Sequence, residues 1–215
     1  DGASQISFIP MGHGMFGMQK PTTFDADGNV IDVGTERTGA GLESVPARFH
    51  QRPDGETVRT VVIPQPPSER LSIYETEVQG GVARYPLPSG TRALDAHAPN
   101  SDFAYAVSDR YEVVRADATG DTLRVLSRSP EVVERSDEEE ERIRETIETL
   151  TQRFDASARE LEQLIPDEKP PLETLFFDAE SRLWVQRAVP ETAPNEADVY
   201  DQDGTLVQVV QWPDD

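Results

Sequence analysis

The sequence predicts an all-β fold of repeated four-stranded antiparallel units, interrupted by one helical segment. Three observations predict it. A strand, an Asp-Gly turn and a second strand recur along the chain, as in "VYDQDGTLVQVV" (Val199 to Val210), "TFDADGNVIDVG" (Thr23 to Gly34) and "HQRPDGETVRTVVI" (His50 to Ile63). Apolar residues after these turns alternate with a period of two, the mark of half-buried strands. One acidic stretch instead carries apolar residues at spacings of three and four.

In "FDADGNVIDV" the Asp27-Gly28 pair offers residues that tolerate positive φ in a tight hairpin. Asp54-Gly55 and Asp203-Gly204 repeat the signal, Gly120 serves the longer turn of "YEVVRADATGDTLRVL", and "LFFDAESRLWVQRAV" turns at Ala179-Glu180-Ser181 without glycine. "TERTGAGLES", Thr35 to Ser44, reads as a glycine-containing loop, and "PQPPSER", Pro64 to Arg70, as a stiff connection. Joined in pairs, the hairpins form units over about 17–64, 94–128 and 172–212. Each has the length of a β-propeller blade, about 40–50 residues. A Greek-key sandwich also contains serial hairpins, but seldom repeats one hairpin so faithfully. The expectation is a β-propeller, or part of one completed by further chain.

The helical insertion spans about 136–165. Ser136 and Glu139 form an S-x-x-E capping box, and Asp137 to Glu141 sit at the positive end of the helix dipole. Ile143, Ile147, Leu150 and Phe154 share a face continued by Leu161 and Leu164, a second helix can start near Asp155 or Ser157, and Pro166 stops it. Such a helix packs on its own domain, or lies as a lid across one propeller face.

The net charge of −21 repels nucleic-acid phosphates and anionic lipid heads and attracts cations and basic proteins. Only Lys20 and Lys169 are lysines among 20 basic residues, a pattern of a GC-rich genome or of a halophile-like acidic surface. Without cysteine there is no disulfide, thiol catalysis or Cys-based zinc site. No apolar run has the length of an integral membrane segment. The chain starts at Asp1 rather than Met, as a processed protein or a segment of a longer one would.

Candidate chemistry is sparse. His13, His50 and His97 stand in different units with no metal-ligand spacing, and read as ordinary loop and strand residues. "GHGMFGM", Gly12 to Met18, is glycine-rich but leads into no helix, so it reads as a loop or strand edge. "DADGN" and "DQDGT" match the start of a calcium loop but lack the distant bidentate Glu, and read as hairpin turns. Calcium on a central axis has no identifiable ligand set. No catalytic or metal-ligating residue is assigned. Loops at one propeller rim commonly bind ligands, and Arg110, Tyr111, Trp184 and Arg187 offer donors and aromatic faces for a carboxylate or sugar. Equally, Trp184 can pack between blades while Arg110 and Arg187 pair with neighbouring acids.

The pair "LETLFFDAESRLWVQRAV…DVYDQDGTLVQVVQWP" resembles a blade of the NHL-like six-bladed β-propellers, where a turn of the Asp-x-x-Gly-x-Leu-Trp-Val type precedes an outer Val-Phe-Asp-x-Asp-Gly hairpin. "FAYAVSDRYEVVRADATGDTLRVLSR", a charged helix and "KPPLETLFFD" are similar to bacterial exported or lipid-anchored propeller proteins. Ser181 departs from the family's usual turn glycine, which puts that turn's type in question. The resemblance implies a propeller outside the cytoplasm, periplasmic, lipid-anchored or secreted. It also implies missing blades, supplied by a longer chain or by a partner chain. The functional expectation is a non-catalytic binding or scaffolding module that engages a protein, peptide or glycan through a rim. The alternatives are a metal-assisted propeller enzyme of the lactone hydrolase or lyase type, and a structural subunit of a larger extracellular assembly.

Overall fold

The computed structural model describes residues 23–213, apart from residues 26, 39–42, 79, 80 and 155. "GHGMFGM" and His13 lie outside the described residues. Three four-stranded antiparallel meanders follow one another. The first holds β1 (Thr23–Phe24), β2 (Val30–Thr38), β3 (Glu43–Gln51) and β4 (Thr57–Val62). A two-stranded hairpin follows, β5 (Ile73–Val78) with β6 (Gly81–Pro86). The second meander holds β7 (Ala93–His97), β8 (Phe103–Val107), β9 (Glu112–Ala116) and β10 (Thr122–Ser127). After helices α1 (Asp137–Phe154) and α2 (Ala158–Gln163) comes the third, with β11 (Leu172–Phe177), β12 (Leu183–Arg187), β13 (Asn195–Tyr200) and β14 (Leu206–Trp212).

One turn geometry explains the recurring hairpin. Six turns start at Asp25, Arg52, Ala98, Asp117, Asp178 and Asp201. In each, the fourth residue's N–H donates to the first residue's carbonyl, and the first residue's N–H donates to the fifth residue's carbonyl. The fourth residue always has positive φ: Gly28 (79°), Gly55 (89°), Ser101 (75°), Gly120 (93°), Ser181 (59°) and Gly204 (80°). Of the Asp27-Gly28 pair, offered from sequence as tolerating positive φ, only the glycine enters the left-handed region, and Asp27 keeps negative φ. Ser181 adopts the same conformation, so the missing glycine does not change the turn type. Where the first residue is Asp, its Oδ1 accepts from the N–H groups two and four residues on. Asp25 does so at 3.0 and 2.9 Å, Asp117 at 2.8 and 3.0 Å, Asp178 at 3.0 and 2.9 Å, and Asp201 at 3.0 and 2.8 Å. Four of the six turns therefore begin with a carboxylate that caps its own turn, while the turns at Arg52 and Ala98 keep the same backbone geometry without it.

The ladder register splits each sheet into two faces. On the second sheet, Phe103, Tyr105 and Ala116 meet Val61 and Ile63 of the first sheet. On its opposite face, Ala96, Ala104, Ala106 and Val113 meet Leu175, Leu183, Val185 and Tyr200 of the third. The second sheet is thus buried on both faces, and Phe103, Ala104 and Val113 are fully covered. A two-sheet sandwich buries one face of each sheet; here the sheets stack in series. Between the second and third sheets the contact runs along β7, β8 and β11. The last strands, β4, β10 and β14, are largely exposed and carry Val58, Val62, Leu123, Val125, Leu206, Val207 and Val209 at the surface.

The capping box forms reciprocally: Glu139 N–H donates to Ser136 Oγ, and Ser136 N–H to Glu139 Oε2, both at 3.1 Å. Ile147, Leu150 and Leu161 are buried, with Ile143 and Phe154 beside them, against Tyr74, Tyr85 and Leu87. Phe154 packs on Tyr85 with ring centroids 4.6 Å apart. The helices therefore cover the β5–β6 hairpin, an element that sequence patterning did not separate from its surroundings. Leu164, expected on the buried stripe, is 37% exposed. The loop expected over Thr35 to Ser44 is mostly strand, since β2 runs to Thr38 and β3 starts at Glu43. Gly39 and Gly41, whose presence suggested the loop, lie outside the described residues.

Candidate functional site

Topology gathers side chains at one end of the stack. In an antiparallel meander the fourth strand ends where the next sheet's first strand begins, at the same end as the turn between its second and third strands. The connections 63–92 and 128–171 therefore share an edge with the β8–β9 and β12–β13 turns. There the Pro64 to Arg70 segment folds past the second sheet and leaves a cleft of about 290 Å³. Pro64, Pro66 and Pro67 of that segment line it together with Tyr105 and Val114 of the second sheet, and Arg70, Arg110 and Glu112 add charged groups. Arg70 Nη2 holds both oxygens of Asp109 at 2.8 Å. Arg110 reaches Asp109 only at 3.9 Å, and its side chain is 55% exposed. Its guanidinium is the more available of the two.

A second polar group is sealed between the second and third sheets. Asp198 on β13 is fully buried. Tyr111 donates its hydroxyl to Asp198 Oδ2 at 2.6 Å and lies 2.9 Å from the Tyr200 hydroxyl. Arg128 Nη1 reaches the same Oδ2 at 2.5 Å, and Arg187 Nε lies 3.5 Å from Oδ1. Arg187 also pairs with Glu196. Burial, then the hydrogen bond to Asp198, drives the Tyr111 phenol far above its ordinary pKa, so it stays a donor. The hydrogen bond to Asp198 raises that of Arg128.

The junction of the first and second sheets is also polar inside. Arg48 is fully buried, donates to the Ser101 carbonyl at 2.7 Å, and stacks 4.8 Å over the Phe103 ring. Burial lowers its pKa to about 10, a loss partly offset by the charges of Asp102 and Asp117. His50, also fully buried, lies 2.8 Å from Asp25, and His97 pairs with Asp95 at 2.9 Å. At the other junction, Arg115 holds Asp102 at 2.7 Å, donates to the Asp201 carbonyl at 3.0 Å, and lies 5.5 Å over Phe177. Each junction thus has one buried arginine that crosses from the third strand of one sheet to a turn and a phenylalanine of the next.

These positions sort the four residues singled out from sequence. Tyr111 and Arg187 meet at Asp198, inside the second junction. Arg110 stands in the rim cleft. Trp184 lies on the opposite face of the third sheet, stacked on Phe176 at 5.3 Å, its Nε1–H donating to Asp178 at 3.0 Å. The four do not form one site. Sequence reading missed Tyr105 and the cleft's prolines, because the cleft is made by two segments about forty residues apart. It also missed Asp198, although an acid inside the alternating run "ADVY" was a readable signal of a buried partner. "DADGN" and "DQDGT" are hairpin turns whose leading carboxylates bind their own backbone. Among the described residues no group of three or more His, Asp or Glu side chains converges as a metal site. No described helix is long and apolar enough to cross a membrane.

No protein-family model matches the chain, and no curated protein matches its sequence significantly.

Proposed function

We propose that the three sheets are consecutive blades of an NHL-like propeller that acts as a binding or scaffolding module outside the cytoplasm. Serial stacking of four-stranded meanders, with the middle one covered on both faces, supports the propeller reading. The sequence resemblance supports the family and the compartment. The observation that carries the binding role is the rim cleft, lined by Pro64, Pro66, Pro67 and Tyr105 and by Arg110, whose side chain is largely exposed. Such a groove fits an extended peptide segment, its apolar side chain between Tyr105 and the prolines and a carboxylate on Arg110. The carboxylate of Asp198 serves the sheet junction, where Tyr111, Arg128 and Arg187 surround it.

Selection of peptides from a random display library on the intact protein tests this, with counter-selection on Arg110→Glu. Enriched sequences that share an acidic residue, and lose binding to both Arg110→Glu and Tyr105→Ala, support the reading. Enrichment indifferent to both substitutions contradicts it.

A further inference from the structure

The stretch "SDRYE", Ser108 to Glu112, sets a base, an aromatic and an acid side by side. The Glu112 N–H donates to the Arg110 carbonyl at 2.9 Å, so the chain folds back at Tyr111 in a three-residue turn. Tyr111 goes inside to Asp198, and both of its neighbours line the rim cleft.

The two charges at the cleft are not spent on partners within the chain. Arg70 takes both oxygens of Asp109 at 2.8 Å and forms a neutral pair with it. Arg110 is left 3.9 Å from that occupied carboxylate. Glu112 is exposed and forms no ion pair with any described residue. The cleft therefore offers one base and one acid, two residues apart in the chain, beside Tyr105 and the cleft's prolines.

The molecule as a whole adds a second condition. Its net charge is −21, a field that repels an anionic ligand at long range and draws in a cationic one. A ligand that offered only a carboxylate to Arg110 would approach against that field and enter a cleft that Glu112 also lines. A ligand that offered only a base would leave Arg110 facing a like charge. A segment that carries both signs satisfies the two side chains, and an excess of bases satisfies the field.

We infer that the cleft takes a basic peptide segment with one embedded acid: an Asp or Glu on Arg110, and within two residues of it a Lys or Arg on Glu112. The inference rests on the peptide reading of the cleft and adds Glu112 as the residue that selects the base. Both contacts lie at the solvent-exposed rim, where charge pairs set specificity and encounter rate more than affinity.

Selection from a random peptide display library, run in parallel on the intact wild-type protein, on Glu112→Lys and on Arg110→Glu, tests it. Both substitutions fall at exposed positions, and circular dichroism checks that each variant is folded. The wild-type pool is expected to share an acid and a base within two residues. The Glu112→Lys pool is expected to keep the acid and lose the base, and the Arg110→Glu pool to lose the acid. The most enriched wild-type peptide, synthesised with a fluorophore, is expected to bind Glu112→Gln about two- to five-fold more weakly, the range of an exposed ion pair. Its association rate is expected to fall at least about ten-fold from about 0.01 M to about 1 M salt, as the Debye length shrinks from about 30 to about 3 Å. A wild-type pool that shares an acid without a base overturns the inference and leaves the peptide reading standing. So does a base that persists on Glu112→Lys, an affinity unchanged on Glu112→Gln, or an association rate indifferent to salt. No enrichment on the wild type, or enrichment indifferent to Arg110→Glu and Tyr105→Ala, overturns both.

Discussion

The pair Tyr111–Asp198 measures whether the second and third sheets are locked by their buried polar group. Tyr111→Phe removes one hydroxyl and keeps the ring. The hydroxyl donates at 2.6 Å to a fully buried carboxylate, and a hydrogen bond to a charged group contributes about 1.5–3 kcal/mol. The substitution is expected to cost about 2 kcal/mol. Asp198→Asn keeps the shape but removes the charge that faces Arg128 and Arg187; breaking a buried pair costs about 3–5 kcal/mol. Partial exposure of Arg128, whose side chain is 38% accessible, places the expected cost at about 3 kcal/mol, the low end of that range. Because the two residues touch, the double variant is expected to lose at least about 1 kcal/mol less than the sum. Urea titrations read by circular dichroism supply the four free energies, compared only if their slopes agree. Additive losses, or a Tyr111→Phe cost below about 0.5 kcal/mol, would refute a direct contact across this junction.

Four further outcomes follow from the turns and caps. Asp25 is held at a pKa of about 2: burial pushes it up, but hydrogen bonds from Asn29, His50 and the Asn29 and Asp27 amides outweigh that. A depressed carboxylate stabilises above its unfolded pKa, so about 2 kcal/mol present at pH 5 should disappear as pH falls from about 4 through about 2. Asp25→Ala should flatten that part of the stability profile, and an unchanged profile would contradict the assignment. Ser181→Gly relieves a φ of 59° and should stabilise by about 0.5–1 kcal/mol, whereas Ser101→Gly also loses the Ser101 hydroxyl bond to the Phe24 carbonyl and should gain nothing. Gly90→Ala places a methyl 2.2 Å from Ser72 Cβ and should cost more than about 2 kcal/mol by thermal unfolding, against about 1 kcal/mol for Gly28→Ala, which meets nothing within 4 Å but keeps φ at 79°. Ser136→Ala should raise hydrogen exchange in the first turn of α1 by about five-fold, the equivalent of about 1 kcal/mol of lost capping.

Strand pairing was legible wherever a turn residue and alternation agreed, as at Asp201 to Gly204, because both are local. The capping box of α1 was legible for the same reason. The β5–β6 hairpin was not: "IYETEVQGGVARYP" alternates, but polar Glu75, Thr76 and Glu77 give little apolar contrast, and its burial comes from helices some sixty residues away. The turn at Ser181 looked irregular because glycine is the usual answer to positive φ, yet the Asp178 cap stabilises the same geometry around serine. The site was the least legible part. Arg110 and Tyr111 are adjacent in sequence, but the β8–β9 turn sends one to the rim and buries the other at Asp198. Pattern alone cannot say which neighbour faces which sheet; the register does.

The account depends on a middle sheet covered on both faces by two others. A methyl and aromatic NOE experiment on the intact protein tests it most directly. The account predicts cross-peaks from the Phe103 ring to the Val61 and Ile63 methyls, and from the Val113 methyls to those of Leu175, Leu183 or Val185. Cross-peaks on one face of the sheet only, with the other face open to solvent, would contradict it.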